Sequence, residues 1–454
     1  MSNCYQINFT DIKSDRFDAE FFRPDHNSIL DKIYDCGEVT TLNKLFKYIK
    51  RGTQPKYSEK GEIKVLRSVN VGGMSFNGTR QEYVDLEFFE NSQRGKVKEN
   101  DILITSTGVG TLGRTSIWTE SENVFCDGHI TILRDSSVSS YLITAYLNSK
   151  YGLFQFDKHY RGSSGQIEIY PFDIKKFVIP NVLFDYSKEI EQKIKKAIKL
   201  ENDSKNLYKE AEEELLRLTD LENLDTEDLE KNVYRSSFSE IVYGRRFDSE
   251  FYNPKSKYII EKIRNLNYTK VSENFIVKNG YPWKSNMFFE DNSGEPVIRI
   301  RDIKPGYIKN YFLTSLDTKY AHDIDFPKAK PLDIVIGMDG AKYFYSSLVE
   351  EDCLVNQRVC HIKLQDKNII SPEFTTLVIN SLIGQSQLMK EMTIAGTVGH
   401  ITNSNVANLV IPILDREDHE KLTEMVRNSI DYSKKSKKLF KEAISKIELV
   451  IDGN

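Results

Sequence analysis

At 454 residues, with 39% hydrophobic and 29% charged side chains, the chain has room for roughly two to four domains and the balance of a soluble globular protein. No apolar run approaches the ~18 residues of a membrane span, and the opening MSNCYQINFT lacks the basic and apolar regions of an export signal, so a cytoplasmic protein without membrane contact is expected. Cys4, Cys36, Cys126, Cys353 and Cys360 form no CxxC pair, which reads as reduced thiols and argues against a disulfide framework or a zinc site.

The net charge of −4 is unevenly spread. Residues 209–231 carry ten acidic and three basic side chains, a net of −7, which leaves +3 for the rest of the chain. Residues 43–70 carry eight basic and two acidic side chains, a net of +6. Charge alone leaves two readings open: a solvated helix face beside a lysine-rich loop, or a locally basic surface for nucleic acid.

Taken in chain order, almost every segment recurs about 230 residues later. RFDAEFFRP at 16–24 returns as RFDSEFYNP at 246–254, and DKI at 31–33 as EKI at 261–263. LRSVNV at 66–71 matches IRIRDI at 298–303, and KVKENDILI at 96–104 matches KAKPLDIVI at 328–336. NS at 148–149, VIP at 178–180 and SKNLYKEA at 204–211 return as NS at 380–381, VIP at 410–412 and SKKLFKEA at 436–443. One register across so many segments is a tandem duplication. Each copy predicts strands (VLRSV, DILITS and HITILR, then VIRIRDI, DIVIGM and VCHIKL), a Gly-rich loop, the VIP segment and a long charged helix. The fold class expected is mixed α/β. The domain reading is a first module over 1–185, a central helix over 186–219, an acidic linker over 220–240, a second module over 241–415 and a C-terminal helix over 416–454.

The two long helices carry matching apolar seams. Ile190, Ile194, Ala197, Tyr208, Ala211, Leu215 and Leu218 recur at spacings of three, four or seven, as do Leu422, Val426, Tyr432, Phe440, Ala443, Ile447 and Val450. Glu201 and Ser204 interrupt the first seam. Such helices either dock on their own module or pack on one another, and the matching seams favour a coiled-coil pair. A helix of ~33 residues is ~50 Å long, the length of roughly 15 base pairs of DNA.

Catalytic signatures are missing. No Pro-Pro pair supports an amino-methyltransferase motif, and the seven histidines include no HExxH. His129, His361 and His400 read as strand or loop residues. GVGTLG at 108–113 matches GxGxxG, but strand-like RTSIW follows it where a dinucleotide site needs a helix. The second copy has DGAKYF at 339–344 with one glycine. Asp25, Glu62 and Lys64 mimic a nuclease carboxylate set without an equivalent in copy two.

KYIKRGTQPKY at 47–57, DILITSTGVGTLGRTSI at 101–117, GHITILR at 128–134 and RGSSGQIEIYPFDIKKFVIP at 161–180 together resemble the specificity subunits of Type I restriction–modification systems. In copy two, YPWKSN at 281–286, GMDGAKYFYSS at 337–347 and AGTVGHITNSN at 395–405 depart from that pattern. Such divergence suits two domains that read different half-sites. The resemblance implies two target recognition domains separated by two long antiparallel helices acting as a ruler, each domain reading half of a split double-stranded DNA site. It further implies two methyltransferase subunits docked on the helices and motor-nuclease subunits joining them. No cofactor is expected in this chain; S-adenosylmethionine would belong to the methyltransferase subunit and ATP to the motor subunit.

On that reading the candidate phosphate contacts of copy one are Lys50, Arg51, Lys56 and Arg114. Gln54, Tyr57, Arg67, Asn70 and Gln166 are candidates for reading base edges, because Arg favours guanine while Asn and Gln favour adenine. Trp283, Lys284, Arg299, Arg301, Lys342, Tyr343 and His400 hold comparable places in copy two. Ser163, Ser164, Gly165, Thr397 and Gly399 are read as shaping their loops. Phe17, Phe21, Phe247 and Phe251 are read as a packing stripe. Lys434, Lys435, Lys437 and Lys438 form a solvated face or a methyltransferase interface. Two alternatives remain: a DNA-reading subunit of another phage-defence complex, and a duplicated enzyme whose GVGTLG holds a nucleotide.

Overall fold

The structure is a computed structural model that describes the chain except residues 1–15, 17, 73–75, 77–80, 163–165, 223, 225–232, 290–293, 309–313, 318, 320–327, 341–342, 366–368, 396–397 and 454. It divides into two compact units, residues 1–199 with 436–454 and residues 200–435. Each is a mixed α/β body. Cys4, Phe17, Ser163, Ser164, Gly165, Lys342 and Thr397 lie outside the described residues.

In the first unit, α1 (Pro24–Asp35) starts with a proline, where the missing N–H is not needed. The strands are β1 (Val39–Thr41), β2 (Phe46–Arg51), β3 (Ile63–Leu66), β4 (Glu82–Val84), β5 (Lys96–Val97), β6 (Ile102–Thr105), β7 (Thr115–Ile117), β8 (Val124–Cys126), β9 (Ile130–Ser136) and β10 (Val178–Pro180), with α2 (Ser140–Leu147) and α3 (Lys150–His159) before the last. One four-stranded sheet has the order β2-β9-β6-β7 and is antiparallel throughout. A second has the order β4-β3-β8-β5, with β3 and β8 parallel. All four residues of β6 are buried, which explains why DILITS reads as an apolar run and not as an alternation.

The second unit contains α4 (Phe238–Gly244), α5 (Pro254–Arg264), β11 (Tyr268–Lys270), β12 (Phe275–Asn279), β13 (Phe288–Phe289), β14 (Glu295–Ile298), β15 (Ile303–Lys304), β16 (Tyr307–Ile308), β17 (Thr314–Leu316) and β18 (Lys328–Ala329). It continues through β19 (Ile334–Gly337), β20 (Asp339–Gly340), β21 (Ser346–Leu348), β22 (Cys353–Val355), β23 (Val359–Leu364), α6 (Pro372–Asn380), α7 (Leu382–Glu391), β24 (Thr393–Ala395), β25 (Val398–His400) and β26 (Val410–Pro412). The sheet β12-β23-β19-β21 repeats the order of the first unit's antiparallel sheet, and β14 lies parallel to β22 as β3 does to β8.

The short repeated motifs are explained by what they bond. In each NS pair the serine caps a helix: Ser149 Oγ accepts from Gly152 N, and Ser381 Oγ from Ile383 N. The asparagine before it reaches a neighbouring strand, Asn148 Nδ2 donating to Thr115 O (3.0 Å) and Asn380 Nδ2 to Ser346 O (2.9 Å). Each VIP segment is held by a buried glutamine. Gln155 Nε2 donates to Val178 O (3.0 Å) while its Oε1 accepts from Val178 N (2.7 Å). Gln387 does the same to Val410, at 3.0 and 2.8 Å.

The RFDxEF motif works through its arginine more than its phenylalanines. Arg16 donates to the carbonyls of His159 and Tyr160, and Arg246 to those of Glu391 and Met392, which satisfies helix ends left without intrahelical partners. Phe251 packs beneath Arg246 and Lys390, but Phe247 is 91% exposed. The packing-stripe reading therefore fails at Phe247, because Arg245 takes a left-handed conformation (φ 52°) and breaks the period.

The long helices run over Ser187–Leu218 and Arg416–Asp452. In the first unit Ile190, Ile194, Ala197, Phe440, Ala443 and Ile447 are buried. There Ser436 Oγ donates to Ala197 O (2.8 Å), and the Lys446 ammonium lies 4.3 Å from the Tyr186 ring, so the two segments run in opposite directions. In the second unit Tyr208, Ala211 and Leu215 share a core with Leu422, Val426 and Ile430. There Lys421 pairs with Glu214 at 2.7 Å, again with opposed directions relative to the Ser204–Ser429 contact.

Candidate nucleic-acid interface

At one end of the first unit's antiparallel sheet, backbone hydrogen bonds gather five separate segments. Gly52 N donates to Ile130 O, Asp127 N to Leu66 O, Ser106 N to His129 O and Ile169 N to Ser106 O, all between 2.8 and 3.1 Å. A Cβ on Gly52 would lie 2.3 Å from Asp127 O, so glycine lets the 52–57 loop lie against the 127–129 turn. GVGTLG is the hairpin loop from β6 to β7, with Gly108, Gly110 and Gly113 at positive φ. It opens a strand, not a helix, so it lacks the helix N-terminus that would hold a pyrophosphate.

Lys50, Gln54, Lys56, Tyr57 and Gln166 are exposed around this end. Arg67 is half-buried, pairs with Glu82 (3.2 Å) and lies 5.8 Å from the Tyr57 ring. Burial pushes the Tyr57 hydroxyl up from its ordinary pKa, against the opposing pull of Arg67. Three of the sequence candidates serve the fold. Arg51 donates to Glu168 (3.1 Å) and to Ile169 O (2.7 Å) and stacks on Tyr170, so its guanidinium holds the 168–170 segment. Arg114 donates to Gly110 O (2.7 Å) within the glycine loop. Asn70 is fully buried; its Oδ1 accepts from Arg67 N (2.8 Å) and its N donates to Arg67 O, closing the turn that ends β3. A base-reading role for Asn70 is corrected on that ground.

The second unit builds the same end with other side chains. Tyr281 N donates to Val355 O, Gln357 N to Tyr281 O, Asn356 N to Ile298 O, Met338 N to Arg358 O and Ile401 N to Met338 O. A Cβ on Gly280 would lie 2.0 Å from Asn356 O. Asp302 occupies the place of Asn70, its carboxylate accepting from Arg299 N at 2.8 Å. This shared capping turn explains why VIRIRDI does not continue as a strand beyond Ile298.

Here Lys284, Arg301 and Tyr343 are exposed. Arg299 is half-buried with its guanidinium 5.0 Å from the Phe288 ring, and Arg301 donates to Thr314 Oγ1 (2.7 Å). Tyr343 stacks on Tyr345. His400 Nδ1 lies 2.7 Å from Asp339 Oδ1. Trp283 is corrected from a contact residue to a core residue: it is buried among Val297, Leu316 and Leu354. Gly399 sits against Met392, where a Cβ would clash at 2.0 Å.

The structure adds residues that the sequence reading passed over. His129 is exposed on the turn between β8 and β9, and Gln357 and Arg358 are exposed on the matching turn between β22 and β23. Thr107, Glu168 and Asp339 stand beside them, Asp339 Oδ2 lying 3.4 Å from Arg358 Nε. The available signal was positional: CDGHI and VNQRV join aligned strands. Burial pushes the Asp127 carboxyl up, while the His129 N–H that it accepts opposes this. Among the described residues, no His, Cys, Asp and Glu side chains cluster to hold a metal ion, and no helix is long and apolar enough to cross a membrane.

No protein-family model matches the chain. Over 172 residues it is 27% identical to the Type I restriction enzyme EcoBI specificity subunit of Escherichia coli, a match covering 36% of this chain and 33% of that protein. The matched stretch thus spans about a third of that relative's length. Among solved structures, the S subunit of the Type I restriction–modification system of M. genitalium is 14% identical, covering 92% of this chain and 94% of that one at a TM-score of 0.37. The HsdS subunit of Thermoanaerobacter tengcongensis is 10% identical, covering 92% and 96% at a TM-score of 0.28. The chain resembles a Type I restriction–modification specificity subunit.

Proposed function

We propose that this chain is a non-catalytic DNA-specificity subunit of a Type I restriction–modification complex. Each unit reads one half of a split duplex site, and the long helices set the distance between halves and dock two methyltransferase subunits. The chain itself carries no cofactor; S-adenosylmethionine is bound by the methyltransferase, and motor-nuclease subunits complete the assembly.

One observation carries this reading. Two units share a sheet order and a set of backbone hydrogen bonds, yet present different polar side chains on the same loops. A frame kept constant beneath variable exposed tips suits the reading of two unlike sequences, because base edges are distinguished by side-chain donors and acceptors while phosphates are not. The similarity to a curated specificity subunit supports the same assignment.

The test is the methylation pattern of host DNA with and without the gene. A split motif that depends on this chain is the expected result, together with duplex affinity that falls steeply as salt rises. A continuous motif, or none, would sink the proposal.

A further inference from the structure

The two units place one small constellation on equivalent backbone hydrogen bonds. In the first, Ser106 N donates to His129 O and Ile169 N to Ser106 O, and Thr107 is bridged to Glu168. In the second, Met338 N donates to Arg358 O and Ile401 N to Met338 O, and Asp339 is paired with His400. Residue by residue, Thr107 corresponds to Asp339, His129 to Arg358 and Glu168 to His400. All three positions differ in chemistry between the units.

Within each unit the central member is oriented by its neighbour. Thr107 Oγ1 lies 3.0 Å from His129 Nδ1. Asp339 lies 2.7 Å from His400 and 3.4 Å from the Nε edge of Arg358, whose side chain is 54% exposed. An arginine held on its Nε edge keeps a pair of terminal N–H groups, the fork that matches O6 and N7 of guanine. A histidine tied through Nδ1 offers one ring nitrogen, a single donor or acceptor.

We infer that these triplets determine specificity: Arg358, positioned by Asp339, reads a guanine in one half-site, and His129, positioned by Thr107, reads a base in the other. This rests on the DNA-reading proposal above and deepens it. Arg358, Asp339, His129 and Thr107 were not among the DNA-contact candidates that the sequence offered, and the equivalence of the frames is what selects them.

The experiment compares methylomes of host cells complemented with the full-length wild-type chain, R358A, R358K, D339N or H129A. A melting curve of each purified chain checks folding. R358A and R358K are expected to lose discrimination at one guanine position of one half-site, by on the order of 10- to 100-fold, with the other half unchanged. D339N is expected to weaken discrimination at that same position. H129A is expected to degrade one position in the opposite half only. Retention of the wild-type letters in both halves by R358A overturns the inference and leaves the DNA-reading proposal standing, as does R358K keeping the guanine that R358A loses. A wild-type chain that produces no split motif removes the proposal itself, and the inference with it.

Discussion

Ser204 and Ser429 exchange hydrogen bonds across the long helices of the second unit: Ser204 Oγ donates to Ser429 O at 2.7 Å, and Ser429 Oγ donates to Ser204 O at 2.8 Å. Both side chains are buried, so Ser204, one of the two polar residues that interrupt the seam, is a satisfied contact between closely approaching backbones. Ser204→Leu should destabilise the full chain by about 1–3 kcal/mol through overpacking, and Ser204→Ala by no more than about 1 kcal/mol. Urea unfolding midpoints check both; a neutral Leu variant would show that the helices are not packed closely here.

Gln387 offers a sharper test of the repeated VIP segment. Gln387→Leu leaves the N–H and C=O of Val410 without their side-chain partner in a buried site, which should cost about 2–4 kcal/mol. Gln155→Leu should cost less, because Val178 O also accepts the Tyr146 hydroxyl at 2.6 Å and keeps that partner. Denaturant titration of each variant measures this, and the larger loss is expected for Gln387→Leu.

Stability should depend on pH through His159. Burial, reinforced by Lys158, Lys176, Arg16 and Arg161, pushes its pKa down to about 3. The unfolded chain therefore takes up a proton that the folded chain refuses between pH ~6.5 and pH ~3. Stability falls as pH falls through that window, by at most about 1.4 kcal/mol per unit. His159→Phe keeps the ring packing against Phe21 and Phe177 and should flatten that slope, read from denaturant midpoints between pH 4 and 7.

Gly280→Ala should displace the 356–358 turn, because the new Cβ would meet Asn356 O at 2.0 Å. A loss of about 2–3 kcal/mol is expected, with recognition of one half-site impaired and the other intact in the methylation pattern. Equal damage to both halves would contradict independent reading by the two units.

Lys50, Lys56 and Lys284 are exposed beside the gathered loops, and we propose them as phosphate contacts. Each Lys→Ala variant should weaken duplex binding uniformly across sequences and reduce the slope of log K against log salt by about 0.9. Fluorescence-anisotropy titrations at several salt concentrations measure it. An unchanged slope for all three would place the DNA elsewhere.

Local chemistry was legible in the sequence. The register of the repeat, the buried run at DILITS, the helix seams and the glycine loops follow from periodicity and from residues whose backbone freedom is special, and those signals survive without knowledge of the fold. Which polar side chains face outward did not follow from it. Asn70, Arg51 and Trp283 look like contact residues because their types suit DNA, but each is consumed by a turn, a neighbouring segment or the core. His129 and Arg358 lie beyond the reach of local reasoning for the complementary reason: their places depend on hydrogen bonds between segments far apart in the chain, such as Met338 with Arg358 and Ile401 with Met338. Sequence by itself determined the order of motifs that recurs about 230 residues apart; only the tertiary structure decided which side chains are held up to solvent, because exposure is a property of what packs around a residue and not of the residue.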